Sequence, residues 1–171
     1  MPRLEEVPTV YRILGVDPGS ICTGFGVIAG QGDQFHYVTS GAIVLPKKAD
    51  RYDKLRTIFL RIQEVIEEFS PTHFAIEDVF YNKNARSSLV LGEARGAAVL
   101  AAALADLPVY EYSAREVKQS VTGHGAAHKM QVGYMLGKIL HLEEVPRSND
   151  ESDALAVAIC HAFKNRQWSV V

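Results

Sequence analysis

Acidic side chains end two short apolar segments of this chain, and the first of them is Asp17. It follows the apolar run at residues 13–16 and precedes Pro18, Gly19 and Ser20. A short, wholly apolar strand is typical of a sheet buried on both faces. An acid at the end of such a strand has to pair with a cation or hold a metal ion. The alternative is an Asx-type turn that Asp17 opens with the Pro-Gly pair.

Glu77 occupies a similar position at the end of a second apolar segment. It follows Phe74, Ala75 and Ile76 in a strand predicted over residues 73–79. In a sheet with helical crossovers, ligands bind beyond the strand ends, so Glu77 and the first acid would face one crevice. Asp78 should point to the opposite face, because side chains alternate along a strand. The alternative is that Glu77 is a solvent-exposed acid at a strand end.

Asp150 and Asp153 supply two further carboxylates near the start of a predicted helix over residues 150–163. Residues three apart share a helix face, and Leu155 places Asp153 at the edge of the buried stripe. The alternative is structural, because acids in a first helical turn cap backbone N–H groups and favour the helix dipole.

Together, the three sites could place four carboxylates in one crevice. Hard oxygen ligands suit Mg²⁺ or Mn²⁺, and a pair of such ions can assist an in-line displacement at phosphorus. Acids this close repel one another without metal. We therefore expect a raised pKa for at least one of them in the metal-free protein.

The elements needed to position these acids follow from the hydrophobic periodicity. Two short apolar runs and a third at residues 35–45 predict an antiparallel meander. Spacings of three and four then predict an amphipathic helix from Leu55 to Phe69, ended by Pro71. The strand at 73–79 should lie parallel to an earlier one. The chain is therefore α/β, with a mixed five-stranded sheet flanked by helices; the remaining elements are a strand at 108–112 and helices at 88–104, 114–121, 129–142 and 150–163.

Composition limits the classes of protein that the chain could be. Its 171 residues fit a single domain over residues 1–171, with loose termini at 1–9 and 165–171. No apolar run approaches a membrane span and the N-terminus lacks a signal-peptide core, so no membrane association is expected. Cys22 and Cys160 are expected to be free thiols in a reducing cytoplasm. The net charge of −2 requires any nucleic-acid surface to be local.

The sequence resembles the RuvC family of Holliday-junction resolvases over nearly its whole length. The resemblance rests on the ordered stretches LGVDPGS, CTGFGV, FAIEDVF, KNARSSLVLGEARG, EYSAREVKQSVTGHGAAHK and DESDALAVAICHA. It implies an RNase H-like (retroviral-integrase-like) fold and a homodimer. It also implies divalent-metal-dependent nicking of two opposing strands of a four-way DNA junction in recombination and repair, with RuvA and RuvB as partners. The family's four catalytic, metal-binding acids fall on Asp17, Glu77, Asp150 and Asp153, with two Mg²⁺ or Mn²⁺ ions per site.

Five further residues are candidates for contact with DNA. Phe80, Lys83 and Arg86 belong to a segment after the Glu77 strand in which aromatic and basic residues mix, a composition that suits base stacking and phosphate contact. The resemblance implies that Phe80 contacts an unpaired base near the crossover. Lys118 and Lys129 flank a glycine-containing stretch that would let phosphate approach the backbone.

Three other functions are compatible with some of the same sequence features. A phosphotransferase of the actin or sugar-kinase type also begins with an acid-containing hairpin, but it needs a second lobe. A noncatalytic junction-binding module would not need all four acids. A related RNase H-like nuclease acting on RNA would share them, and a cleavage assay on both substrates would separate it.

Overall fold

The computed structural model describes residues 10–32, 34–78, 84–144, 146 and 148–165. The chain begins with the predicted antiparallel meander, formed by strands β1 (Tyr11–Asp17), β2 (Cys22–Gln31) and β3 (Gln34–Val44). Each strand starts or ends beyond its predicted bounds, because backbone pairing continues past the apolar residues that marked it.

A helix, α1 (Arg51–Phe69), leads from the meander to the fourth strand. The Asp50 side chain accepts a hydrogen bond from the backbone N–H of Asp53, and Ser70 ends the helix in a left-handed conformation. The predicted apolar stripe is confirmed, with Ile58, Ile62, Val65 and Ile66 buried. Strand β4 (His73–Glu77) then pairs with β1 in parallel, as predicted.

The remaining elements complete a five-stranded sheet with the order β3-β2-β1-β4-β5. A second crossover helix, α2 (Ala85–Leu104), leads to β5 (Val109–Tyr112), which is parallel to β4. Three helices follow: α3 (Ala114–Thr122), α4 (Lys129–Ile139) and α5 (Asn149–Lys164). The mixed five-stranded sheet flanked by helices is therefore confirmed.

The two faces of the sheet carry separate hydrophobic cores. One core joins sheet residues Leu14, Val16 and Phe74 to α1 and α2. The other joins Ile13 and Ala75 to α3, α4 and α5. Because side chains alternate along a strand, Asp17 and Glu77 face the second core, on the side covered by α5.

Helix α2 differs from expectation because it is long and apolar enough to span a membrane by length and composition alone. It nevertheless carries Glu93, which pairs with Arg51, and Arg95, which pairs with Glu111. Charged groups are costly inside a bilayer. One face of α2 packs its alanines into the core beside α1, which fits a crossover helix of this sheet.

Several predicted boundaries need correction, and the first is the start of α1, which lies at Arg51 instead of Leu55 because Asp50 caps the helix. Helix α2 starts three residues before residue 88 because Asn84 caps it, accepting hydrogen bonds from the N–H groups of Arg86 and Ser87. Helix α4 ends at Ile139, three residues early, and β4 ends at Glu77. Asn165, predicted to lie in a loose tail, instead donates from its side chain to the carbonyl of His161. The expected loose segments 1–9 and 166–171 lie outside the described residues.

Candidate active site

Asp17 and Glu77 lie side by side at the ends of two adjacent parallel strands. Val16 pairs with Ile76, so the next residue of each strand is one of the two acids. On the other side of β1, Asp17 pairs with Gly24 of β2. The three residues Gly24, Asp17 and Glu77 thus form one row across the sheet, on the face that α5 covers.

Helix α5 brings the other two acids to this row. Its N-cap is Ser148, whose hydroxyl accepts from the N–H of Glu151. Capping is therefore carried out by a serine, and Asp150 and Asp153 are free for another role. The first turn of α5 lies against β2 so closely that a Cβ atom built on Gly24 would lie 2.0 Å from the carbonyl oxygen of Asp150.

The electrostatics show that the four acids share one environment. Burial first, and then the charges of Glu77, Asp153 and Asp150, raise the pKa of Asp17 to about 7. Burial also raises the pKa of Glu77, with a further contribution from Asp153. The expectation of a raised pKa in the metal-free site is confirmed.

Two predicted DNA-binding lysines flank this acidic cluster. The ammonium of Lys129, at the start of α4, donates to Oδ2 of Asp153 at 2.9 Å. That contact is the first cause of the raised pKa of Lys129. The charges of Lys118 and Lys129 both lower the pKa of Glu77, opposing the effect of burial. A protein with a net charge of −2 needs a local basic surface to bind DNA, and these two lysines place positive charge beside the acids.

The turn after Asp17 is held by a residue that the sequence did not single out. Thr23 is fully buried, and its hydroxyl lies 3.3 Å from both the N–H and the carbonyl oxygen of Gly19. A side chain other than that of Asp17 thus closes the Pro-Gly turn, which favours the functional interpretation of the acid. A buried threonine in a strand is too common to have been a signal.

Cys22 also lies closer to the site than the sequence indicated. Both cysteines of the described residues are free, as predicted. The Cys22 thiol is half-buried close to Asp150, and burial followed by the effect of that acid raises the pKa of the thiol to about 11. No spacing rule connects residue 22 with residue 150, so the contact could not be predicted.

The donor chemistry of the cluster fits a hard divalent cation. All four acids offer oxygen ligands, which Mg²⁺ and Mn²⁺ prefer, and their charges already interact. Within the described ranges, no three His, Cys, Asp or Glu side chains converge closely enough to hold an ion as they stand. One of the four, Asp153, is instead paired with Lys129.

The other predicted DNA contacts lie elsewhere or outside the described residues. Arg86 is exposed in the first turn of α2, and its backbone N–H donates a hydrogen bond to Oδ1 of Asn84. Phe80 and Lys83 are outside the described residues. Asp78 is exposed, unlike the half-buried Glu77, and it lies one residue beyond the end of β4.

A family model described as "Crossover junction endodeoxyribonuclease RuvC" matches residues 13–161. A protein of that name from Pseudoalteromonas translucida is 54% identical over 156 residues, covering 90% of this chain and 87% of the relative. Another from Pelotomaculum thermopropionicum is 47% identical over 150 residues, covering 88% of this chain and 92% of the relative.

Solved structures give the same result for the fold. The chain is similar to Thermus thermophilus RuvC in complex with a Holliday junction substrate, with a TM-score of 0.87 and 34% identity, over 93% of this chain and 97% of that one. The yeast mitochondrial resolvase Ydc2, at 11% identity and a TM-score of 0.63 over 96% of this chain and 83% of that one, shares the fold. The RNase H-like fold is thus confirmed. With two acids at adjacent strand ends, two more on the helix that covers them and a family match over most of its length, the chain belongs to the RuvC family of crossover junction endodeoxyribonucleases.

Proposed function

We propose that this protein resolves Holliday junctions by metal-dependent nicking of two opposing DNA strands. The observation that carries the proposal is that Asp17 and Glu77 end adjacent strands beside the helix that carries Asp150 and Asp153, in a member of this family. The solved complex of a relative with a Holliday junction favours junction DNA over RNA as the substrate. Retention of all four acids argues against a noncatalytic binding module.

The four acids would hold two Mg²⁺ or Mn²⁺ ions. Such ions supply an activated water and a stabilised leaving 3′-oxygen at the scissile phosphate. The strand-end acids Asp17 and Glu77 are fixed by the sheet, whereas Asp150 and Asp153 complete the ligand set from α5. Lys129 balances the charge of Asp153 in the metal-free protein; the exposed pair is worth about 0–1 kcal/mol, so the lysine can leave at little cost.

Lys118 and Lys129 would then bind the phosphates next to the cut. Both lie close enough to the acids for their charges to act on Glu77. A lysine ammonium acts as a point charge toward phosphate, which gives binding without sequence preference. We assign Phe80, Lys83 and Arg86 to contact with the junction around the crossover, with support from the resemblance and from the composition of their segment.

The homodimer that two symmetric nicks require would form through α2. Its outward stripe is apolar or small: Leu89 is 58% exposed and Leu100 52% exposed, and Gly92 and Gly96 lie between them. A Cβ atom added at either glycine would meet no atom of the described residues within 4 Å. An exposed apolar face with such a flat centre suits another copy of the same helix in a twofold interface.

Substitution of Gly96 with glutamate tests this interface, because the side chain has room in the isolated protomer. We expect Gly96→Glu to fold and to elute as a monomer in size-exclusion chromatography with light scattering. It should also lose coordinated nicking of both strands. A stable Gly96→Glu dimer would place the interface elsewhere.

Cleavage of a synthetic four-way junction tests the catalytic proposal. Wild type with Mg²⁺ or Mn²⁺ should give symmetric nicks, and Asp17→Asn should give none. Asp78→Asn is the matched control, because Asp78 follows Glu77 but is exposed. Binding without cutting by wild type would leave a junction-binding module, and preferential cutting of structured RNA would favour the other nuclease.

Family membership also supports a RuvA–RuvB branch-migration complex as partner and the cytoplasm as the location. Co-purification with RuvA bound to a junction tests the partnership. Resolution at the same rate with and without RuvA–RuvB would speak against dependence on that complex.

A further inference from the structure

Gly24 lies between two of the proposed metal ligands. It pairs with Asp17 across the β1–β2 ladder, so its missing side chain and the Asp17 carboxylate point to the same face of the sheet. On that face, it lies against the first turn of α5 at Asp150. Of the Gly24–Asp17–Glu77 row, it is the member without a side chain.

The contact leaves no room for even one methyl group. A Cβ at residue 24 would lie 2.0 Å from the carbonyl oxygen of Asp150, 2.5 Å from its carbonyl carbon and 3.1 Å from its Cβ. The two nearest atoms belong to the backbone of α5, which has no rotamer to change. An alanine at this position would therefore have to move the first turn of the helix, together with the acids on it.

Other glycines of the same face show what is particular to residue 24. Gly15 of β1 pairs with Gly26 of β2, two residues along each strand from the pair of Asp17 and Gly24. A Cβ on Gly26 would lie 2.7 Å from side-chain atoms of Leu155, and one on Gly15 would lie 2.2 Å from the carbonyl of Ala154. These contacts set how closely α5 approaches the sheet, but they lie beyond the turn that carries Asp150.

We infer that Gly24 is a positioning residue of the active site, whose missing side chain sets the separation between Asp17 and Asp150. The inference rests on the proposed function, because it takes these two acids as ligands of the same metal site. Closer approach of backbone to backbone than any side chain permits is a use to which glycine is specifically suited. A larger distance between Asp17 and Asp150 would weaken metal binding without altering the residues that contact DNA.

The test compares Gly24→Ala with Gly26→Ala in the full-length protein. Mn²⁺ binding to the DNA-free protein is measured by electron paramagnetic resonance, beside thermal unfolding and junction affinity in EDTA. We expect Gly24→Ala to bind Mn²⁺ at least about tenfold more weakly, with a matching rise in the metal concentration for half-maximal cleavage. Junction affinity in EDTA should stay within about twofold.

Gly26→Ala controls for destabilisation, because it adds the same methyl group to the same strand face. We expect it to lower the unfolding temperature at unchanged Mn²⁺ affinity. Gly137→Ala adds a methyl group to α4 where no atom of the described residues lies within 4 Å. It should leave Mn²⁺ affinity unchanged and should not lower the unfolding temperature, because alanine favours a helix over glycine. Equal losses of Mn²⁺ affinity in Gly24→Ala and Gly26→Ala, or no loss in Gly24→Ala, would overturn the positioning role.

Ser40→Ala decides the matter if Gly24→Ala does not fold. The hydroxyl of Ser40, on β3, donates to Oε2 of Glu151 at 2.8 Å and so holds the same helical turn without any steric contact. Its loss should weaken Mn²⁺ binding about two- to twelvefold, which is the contribution of one such bond, about 0.5–1.5 kcal/mol, converted to an affinity ratio. Unchanged Mn²⁺ affinity would overturn the inference. Wild type that binds Mn²⁺ at these acids and cuts no junction would instead refute the proposed function.

Discussion

The two faces of the central sheet are packed by opposite means. Toward α1 and α2, the sheet presents large side chains such as Leu14, Phe74 and Ile76. Toward α5, the row at Gly15, Gly26 and Ala75 is made of small residues, and the next row holds Gly24 and the two strand-end acids. Near the acids the backbone of α5 lies directly on the strands, whereas further along the same face Ile13 and Ile28 belong to a hydrophobic core.

The difference in packing assigns the two faces of the sheet different contributions to folding stability and to the active site. Large side chains remove apolar surface from water, and their loss costs free energy of folding. Close backbone packing buries less apolar area per residue, but it carries the acids of α5 to those of β1 and β4. Substitutions on the α1–α2 face should therefore change stability, and substitutions in the row of Gly24, Asp17 and Glu77 on the α5 face should change metal binding and cleavage.

The largest effect is expected from Asp17→Asn. Loss of one carboxylate removes several kcal/mol of the stabilisation that the metal site provides, which corresponds to at least about a thousandfold loss of cleavage rate. Junction binding and folding should be retained, since burial already disfavours the charge of Asp17 in the metal-free protein. Single-turnover cleavage, gel-shift and circular dichroism measure the three quantities. Residual cleavage within tenfold of wild type would show that the catalytic centre lies elsewhere.

Ile62→Ala is the corresponding change on the opposite face. Ile62 is fully buried on α1, and its truncation should lower the free energy of unfolding by about 2–5 kcal/mol. The Mg²⁺ concentration for half-maximal cleavage should not change below the unfolding temperature. Chemical denaturation and a metal titration measure the two effects. A shifted metal requirement would mean that the two faces are coupled.

The pH dependence of stability sharpens the comparison further. Because the folded pKa of Asp17 is raised to about 7 from 3.8, the metal-free folded protein retains a proton that the unfolded chain releases. The contribution of this retained proton to the free energy of unfolding is fully present below about pH 4. It is lost as the pH rises toward 7, by no more than about 1.4 kcal/mol per pH unit for one group. Glu77 is shifted in the same direction.

Urea unfolding in EDTA at pH 4, 5.5 and 7 measures this dependence. The difference in the free energy of unfolding between wild type and Asp17→Asn isolates the contribution of Asp17. As the pH rises, wild type should lose stability relative to Asp17→Asn. A difference that stays constant, or moves in favour of wild type, would contradict the burial of Asp17 among like charges.

Lys129→Met should have the smallest effect. Loss of one phosphate contact should reduce the slope of log affinity against log salt by about one. Lys138→Met is the control on the same helix; that lysine lies over the ring of Tyr134. Junction binding in EDTA at several salt concentrations measures the slope. Equal slopes for the two variants would remove Lys129 from the proposed DNA-binding set.

Local pattern was sufficient to predict the elements and the four candidate acids. Short apolar runs gave the strands, spacings of three and four gave α1, and abrupt endings of apolar runs gave Asp17 and Glu77. These features depend on neighbours in the chain, which is why the sequence carried them. Resemblance to the family, itself a property of sequence, added the fold, the activity and the proposed DNA-binding roles of Lys118 and Lys129.

The tertiary structure alone decided which groups lie together at the site. The contact of Gly24 with Asp150, the proximity of Cys22 to that same acid and the pair of Lys129 with Asp153 each join distant segments. Their existence depends on strand register and on how closely α5 packs, and no local pattern encodes either. The raised pKa of Asp17 has the same origin, because burial and the charges of other elements act through space.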